Sequence, residues 1–588
     1  MIDSERPVER QTCDVVVVGS GAAGLTAALT AAAEGLAVIV IEKAAVWGGT
    51  TALSEGMVWV PGSDQARDAG VRDTLDEALA YIEQAAGPLF EPVRARAFLE
   101  AAPRMLAFVE AVGGPRFTLA TGSMDYHPDW PGASRGARSL IPGVFDARRL
   151  GAAFGTLRRP LESTLVFGGM TIPSGELPIL RRAHRSPAAA WHAARLLARH
   201  ALDRAAGHAR GTRIANGNGL AAALASAGWA RGVRLLTQTR LAGLHLAAGR
   251  ICGVTAATNQ GTLEITTRRG VVLAGGGFSG SATMRRRFFP AGATGAAHVR
   301  IVPESIEGDA LALVEGLGAR ILAGPSTASW APTSLVPIAE GVEGFPHFME
   351  RQKPGFIAVN AQGRRFVNEA TSYSLFVQAM LADAQGLEPA CWLLADRQAL
   401  RRHGLGAVPP FPLGIGPWLR SGYLIEAADM PALAARTGLD AATLTATVAA
   451  FNRHAREGHD PAFGRGSSAI DRAYGDPAAR LHPNLGPLET PPFYAVRLHT
   501  GDIGSLAGLA SDANAQVLRD DGEPITGLCV AGNDAASLFG GTYPAGGITL
   551  GPAMTFGWIA AHTLAALEPL VQHEAEAPSP PTLRRSPR

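Results

Sequence analysis

Cysteine is scarce in this chain, and the four present, Cys13, Cys252, Cys391 and Cys529, lie far apart. No two share a metal-ligand spacing, so the thiols read as free in a reducing compartment. Net charge is nearly missing as well. The 53 basic and 51 acidic side chains leave +2, which removes the electrostatic basis for binding nucleic acid. No run of about 18 apolar residues occurs, so no transmembrane segment is expected. The opening MIDSERPVERQTCD is polar and does not read as a secretory signal, which points to the cytoplasm. The fifteen histidines form no HxxxH or HExxH pattern, so no metal site is expected. Tyrosine is rare too, seven in 588 residues.

Glycine, by contrast, is abundant at 70 residues, which suits tight turns and close approach of backbone to a ligand. The length favours two domains. DVVVVGSGAAG is a β-branched run ending in glycines, LTAALTAAAEG an alanine-rich helix, and LAVIVIEK a second buried strand. GSGAAG places Gly19, Gly21, Ala22, Ala23 and Gly24 between strand and helix. The first glycine permits the turn, the second admits a pyrophosphate, and the third lets helix and strand pack closely. The helix N-terminus then faces the anion. Glu42, ending the second strand, is placed to accept hydrogen bonds from an adenosine ribose, with Lys43 beside it. The glycine pair and two threonines that follow, Gly48, Gly49, Thr50 and Thr51, and then Gly56, suit a chain running along an extended dinucleotide towards an isoalloxazine ring. That favours FAD over NAD. Further contacts are expected at Gly275 and Gly276, at Asp309, and at Gly532 and Asn533, each at a glycine-rich strand end or helix start. A helix starting near Thr549 and Leu550 is placed to aim its positive end at the flavin.

The expected fold class is α/β. Residues 1–324 and 498–567 form the two segments of a Rossmann-like FAD-binding domain, and 325–497 an inserted α+β catalytic domain. The Pro-rich tail, 568–588, is expected to be disordered. Residues 75–230 carry mostly helical patterns, including a basic alanine-rich stretch that reads as a solvated amphipathic helix. Arg364 and Arg365 read as a strand cap or a weak surface pair with Glu369. Trp59 and Trp130 read as pocket wall or core.

The stretches DVVVVGSGAAGLTAAL, VIEKAAVWGGTTALSEG, EGDALALVEGLGA, GRRFVNEATSY and GNDAASLFGGTYPAGGITLGPAMTFGWIAA together resemble the fumarate reductase/succinate dehydrogenase flavoprotein superfamily. Within it they resemble the 3-ketosteroid Δ1-dehydrogenases. The resemblance spans nearly the whole chain and is loosest over 150–210. It implies non-covalent FAD, a small apolar cyclic ketone as substrate, and an external electron acceptor, a quinone or small carrier. Fumarate reductases place an arginine just after an RFVNE strand. Here that place holds Tyr373, and the C-terminal glycine loop holds Tyr543 and no charge. A neutral, phenol-lined pocket suits an uncharged ketone rather than a dicarboxylate.

Desaturating a ketone beside its carbonyl requires a polarised carbonyl, a base for the α-proton and an acceptor for the β-hydride. Tyr543 fits the first task, with the Gly547 N–H as a second donor. The resemblance implies Tyr373 as the base, assisted by Tyr126; the neighbouring His127 competes for that assisting role. A free phenol has a pKa of roughly 10, so the base needs a hydrogen-bond donor beside it. The expected reaction is 3-ketosteroid Δ1-dehydrogenation. The same desaturation on a cyclohexanone-type ring, a Δ4-ketosteroid dehydrogenase, a fumarate-reductase-type enzyme and a non-catalytic FAD-binding module are the rivals.

Overall fold

A run of four valines, Val15–Val18, has no polar face to show to water, so it demands cover on both sides. The computed structural model describes residues 8–180, 182–385, 388–412 and 414–570. In it, strand β1 (Val8–Val18), helix α1 (Ala22–Ala33) and strand β2 (Val38–Ile41) follow in the expected order. The four valines lie at the centre of the first sheet, at most 8% exposed.

Residues 75–230 differ from the helical expectation. Helices α2 (Leu75–Ala86), α3 (Pro92–Ala111) and α4 (Pro187–Ala205) are present. Strand β3 (Val58–Trp59), from before this stretch, joins β4 (Phe117–Leu119) and β5 (Ser139–Pro142), which interrupt the helices, in a small antiparallel sheet. These strands are too short to show a period-2 pattern, so the helical signal around them dominates the sequence. Helix α4 is the basic alanine-rich stretch, and most of its residues are exposed.

The first sheet continues with β6 (Arg234–Leu236), parallel to β2, and with β7 (Thr239–Ala247), β8 (Arg250–Thr258) and β9 (Gly261–Leu273). Strands β7 and β8 form an antiparallel excursion, and β9 returns parallel to β1. The chain then builds a second, antiparallel sheet. Its strands are β10 (Thr333–Ile338), β11 (Gly341–Pro346), β12 (Phe356–Val359), β13 (Ala390–Asp396), β14 (Ile425–Ala427) and β15 (Phe493–His499). Their order is β11–β10–β15–β13–β12, with β14 also paired to β15. Helices α5 (Tyr373–Asp383) and α6 (Arg397–His403) lie within this part of the chain.

Beyond residue 500 the chain returns to the first sheet. Strand β17 (Pro524–Val530) adds parallel to β9, and β16 (Gln516–Leu518) adds antiparallel to β17. Helix α7 (Leu550–Ala566) then lies on α1. The contact is close enough that a Cβ on Gly557 would stand 2.5 Å from the Ala23 carbonyl oxygen. The fold is therefore α/β, with a Rossmann-like sheet drawn from two sequence segments and an α+β portion between them. The cysteines of the described chain are free. No helix among the described residues is long and apolar enough to cross a membrane. The tail from 571 onward, part of the stretch expected to be disordered, lies outside the described residues.

Candidate active site

The glycine turn after β1 is sterically required. Gly19 has φ +103°, and a Cβ there would overlap the Ala274 carbonyl at the end of β9. Helix α1 starts at Ala22 with no side-chain cap on Gly21. The Ala22 N–H donates to Thr51 Oγ1 at 2.9 Å, and the Gly48 N–H to Ser20 Oγ at 3.0 Å. Gly48, Gly49, Thr50 and Thr51 are thus folded back onto the glycine turn, and a Cβ on Gly49 would lie 3.5 Å from Gly21 Cα. Glu42 is nearly buried and accepts from Ser20 Oγ at 2.5 Å, the Ser20 N–H at 3.2 Å and the Ala44 N–H at 2.9 Å. Gly56 instead packs on the Asn216–Gly217 backbone.

Lys43 is held in an ion pair with Glu307 and, at 2.9 Å, with Asp309. Asp309 also pairs with Arg240 at 2.5 Å. These two expected cofactor residues are therefore engaged with each other. Gly275 and Gly276 lie beside Asp534, a residue the sequence reading passed over although it adjoins Gly532 and Asn533. The Asp534 carboxylate accepts from the Gly275 N–H at 2.6 Å and the Gly277 N–H at 2.8 Å, stapling the ends of β9 and β17 together. Burial raises its pKa to about 6.

FAD fits these residues. Gly532 lies against Ala23 of α1 and Ala553 of α7. Thr549 and Leu550 open α7, which has no side-chain cap, so two helices present uncapped N-termini around one glycine-rich junction. A cavity of about 30 Å³ lies there between Gly532–Asn533 and Thr549–Ala553. Arg94 lines it, with its Nε buried and unpartnered.

The three singled-out tyrosines come together from distant parts of the chain. Tyr126 Oη and Tyr373 Oη are 3.5 Å apart. The ring of Tyr543 lies 5.3 Å from that of Tyr373 and 6.4 Å from that of Tyr126, centroid to centroid. Tyr474 and Phe348 complete the aromatic wall. One carbonyl couples the loops that carry these rings: Pro544 O accepts from the Tyr126 N–H and from Tyr81 Oη, both at 2.7 Å. Gly547, at φ +92°, presses on β3 so tightly that a Cβ would lie 2.6 Å from the Val58 carbonyl carbon. Its carbonyl accepts from the Trp59 N–H at 3.1 Å, and its own N–H has no acceptor among the described residues.

Tyr126 is anchored through its neighbour. Asp125 accepts from Trp59 Nε1 and pairs with Arg138, each at 2.9 Å, in a buried cluster with Asp73. Trp59 is fully buried core, stacked on Phe98. His127 stacks on Trp130 with ring centres 3.8 Å apart, and burial lowers its pKa to about 4, so it is neutral.

Tyr373 is the first residue of α5, where the Ser372 side chain accepts from the Leu375 N–H at 3.3 Å. Arg351, missed in the sequence, and Arg365 fix that helix start. Arg351 is fully buried and donates through Nη1 to the Glu369 carbonyl at 2.6 Å and the Thr371 carbonyl at 2.8 Å. Arg365 pairs with Glu369 at 2.6 Å, as one of its two expected roles, but the pair is not a surface one. Glu369 is 0% exposed and also holds Arg465, while Arg365 pairs in addition with Asp460 at 2.9 Å. The Arg364–Arg365 dipeptide itself carries no sign of burial, because Asp460 and Arg465, which complete the network around Arg365 and Glu369, sit about a hundred residues away.

Burial raises the Tyr373 pKa well above the ordinary phenol value, and Tyr126 and Tyr543 add to the effect. Tyr126 is likewise raised by burial, then by Tyr474 and Tyr543, against lowering by the hydrogen bond with Tyr373 and the charge of Arg351. Tyr543 is raised by burial, with Tyr373 and Thr549 acting against it. The described pocket thus keeps all three phenols protonated at neutral pH. Elsewhere among the described residues, the half-buried His454 and the exposed Glu457 and His459 bring potential metal-ligand atoms within 4.8 Å of one another.

Residues 14–550 match the family model described as FAD binding domain. The chain is 38% identical to the 4-oxocyclohex-2-ene-1-carboxylate 5-dehydrogenase of Sinomonas cyclohexanicum, over 94% of each protein. It is 37% identical to a 3-oxosteroid 1-dehydrogenase of Mycobacterium tuberculosis, over 94% of this chain and 98% of that one. Among solved structures it resembles the 3-ketosteroid delta1-dehydrogenase from Sterolibacterium denitrificans in complex with 1,4-androstadiene-3,17-dione. That match has a TM-score of 0.87 and 36% identity, and covers 95% of this chain and all of the other.

Proposed function

The chain belongs to the FAD binding domain family, in the branch of the 3-oxosteroid 1-dehydrogenases and their ring-acid relatives, and on that premise we propose that it desaturates a 3-ketosteroid at the Δ1 position. It is an FAD-dependent oxidoreductase. The convergence of the Tyr126, Tyr373 and Tyr543 rings supports the ketone-desaturation chemistry, and the steroid as substrate rests on the likeness to the 3-oxosteroid 1-dehydrogenases.

In this reading Tyr543 and the Gly547 N–H donate to the substrate carbonyl. Charge builds on that oxygen as the α-proton leaves, so these donors bind the transition state more tightly than the ground state. Tyr373 Oη takes the α-proton. Tyr126 Oη, 3.5 Å away, donates to it as negative charge develops, and the dipole of α5, whose first residue is Tyr373, favours that charge. FAD, when bound, supplies the acceptor for the hydride from the β-carbon. The proton and hydride lost together leave one C=C bond conjugated with the carbonyl. The walls of Phe348 and Tyr474 exclude water and favour a flat apolar ring. An acceptor outside the chain, a quinone or small carrier, then collects the electrons.

A second reading keeps this chemistry and shrinks the ring. It is favoured by the 38% identity with the cyclohexene-carboxylate enzyme. Anaerobic mixing separates the two. Flavin bleaching with androst-4-ene-3,17-dione, and a product lighter by two hydrogens, supports the steroid. Bleaching only with 4-oxocyclohexanecarboxylate or cyclohexanone overturns it. No bleaching with any of them removes the desaturase reading itself.

A further inference from the structure

A separate cleft opens at helix α6, on the side of the second sheet. Its volume is about 710 Å³, and Arg185, Arg397, Arg401, Arg402, Phe411 and Asp476 are among its lining residues. The charge balance there is one-sided. Asp476 pairs with Arg402 at 2.5 Å and with His403 at 3.6 Å, which uses its charge. The amine of Lys353 donates to the Tyr474 and Gly475 carbonyls, at 2.5 and 3.0 Å. Arg185, Arg397 and Arg401 have no carboxylate partner among the described residues.

Arg397 and Arg401 stand one turn apart on α6, a spacing at which like charges repel. A fold stabilised only by its own contacts has no reason to gather unpaired guanidinium groups in one concavity. An anion bound there relieves the repulsion, and the planar guanidinium fork matches phosphate oxygens two at a time.

Phe411 adds an independent observation. It is 63% exposed and adopts φ +48°, a conformation costly for an aromatic residue. The Phe411 N–H donates to the Arg401 carbonyl at 2.8 Å, which holds that backbone in place. The ring is therefore presented, under strain, beside the unpaired arginines, with Pro410 and Pro477 as flat apolar neighbours. An exposed ring next to phosphate-binding forks is what a nucleotide needs: a stacking face for the base and paired donors for the phosphates.

We propose that this cleft binds a nucleoside diphosphate group, with Arg397 and Arg401 on the phosphates and Phe411 against the base. The site is distinct from the tyrosine pocket, yet its wall at Gly475 directly follows Tyr474, so the group can arrive free or as the far end of a substrate side chain.

The FAD-loaded full chain is titrated calorimetrically with ADP, pyrophosphate and adenosine at low salt. ADP is expected to bind one per chain, more tightly than either fragment, and to weaken as salt is raised. The double variant Arg397→Gln/Arg401→Gln is expected to weaken ADP at least about tenfold, from the loss of charge-assisted hydrogen bonds. Phe411→Asn, which tolerates the same backbone, is expected to weaken ADP and leave pyrophosphate unchanged. Both variants keep the flavin spectrum and ketone turnover. ADP that competes with a nucleotide ester of a keto acid, but not with a plain cyclic ketone, marks the side-chain source. ADP that competes with neither marks a free nucleotide. Absence of ADP binding, ADP affinity untouched by the double variant, or ADP affinity unchanged in Phe411→Asn overturns the proposal.

Discussion

The hydroxyls of Tyr126 and Tyr373 lie 3.5 Å apart although 247 residues separate them in the chain. Nothing local brings them together. Tyr126 is fixed through Pro544 and the Asp125–Arg138 cluster, and Tyr373 through Arg351 and the start of α5. The pair therefore sits where loops from the FAD-binding portion meet a helix of the inserted portion. Such a geometry requires both portions to fold.

The direction of the tyrosine pKa shifts makes the first prediction. A base acts in its deprotonated form, and burial raises Tyr373 above the ordinary phenol range. The reactive fraction is then small at neutral pH and grows about tenfold per pH unit, so log kcat is expected to rise with pH and to show no plateau below roughly pH 10. A pH–rate profile with saturating ketone checks this. A plateau near neutrality would mean that something other than Tyr373 takes the proton.

Arg351 gives the second. Its guanidinium holds the Glu369 and Thr371 carbonyls and adds positive charge near Tyr126. Arg351→Lys keeps the charge but loses the paired donation. It is expected to lower kcat roughly tenfold or more while moving KM little, because one misplaced hydrogen-bonded group costs about 1–3 kcal/mol. Arg351→Met removes the charge as well and is expected to push the alkaline limb of the profile to still higher pH. A parallel shift in both variants would show that only packing was disturbed. Melting curves on the same samples report the folding cost.

The cofactor loop was legible in the sequence because its chemistry is local. A strand, GSGAAG and an alanine-rich helix are contiguous, and each glycine answers a steric demand that the fold repeats at Gly19 and Gly24. The tyrosines were legible for a different reason: phenols are rare here, and two of them stand where charged groups would serve a dicarboxylate. What stayed hidden is what acts at long range. Asp534, Arg351 and the Glu369–Arg465–Asp460 network look like ordinary polar residues until the fold buries them. The short strands β3 to β5 also stayed hidden, since two to four residues carry no period.

Asp534 supports the third prediction. Asp534→Ala frees the Gly275 and Gly277 N–H groups and loosens the glycine turn that follows β9. FAD is expected to dissociate more readily, read as free-flavin fluorescence after desalting. In flavin-free protein the sign is fixed by linkage. The folded value of about 6 exceeds the ordinary 3.8, so the folded state holds the extra proton between them. Stability contributed by this group is then lost as pH rises through that window, and Asp534→Asn is expected to flatten the loss. Unchanged flavin retention in the alanine variant would contradict the stapling role.

Gly547 offers a steric test. At φ +92° and with Val58 where a Cβ would stand, Gly547→Ala must push its loop off β3. In the proposed mechanism the displaced N–H then misses the substrate oxygen. Loss of one such donor costs about 10²–10³ in kcat, which is the expected drop. Wild-type turnover in a correctly folded Gly547→Ala would remove this N–H from the account.

The central claim is that Tyr373 takes the α-proton. Tyr373→Phe, saturated with FAD, is mixed anaerobically with the accepted ketone in a stopped-flow cell while flavin absorbance is followed. The account predicts an unaltered flavin spectrum, ketone binding within a few-fold of the parent, and bleaching slowed by about 10²–10⁴, the usual contribution of a positioned base. Bleaching at the parental rate would contradict it.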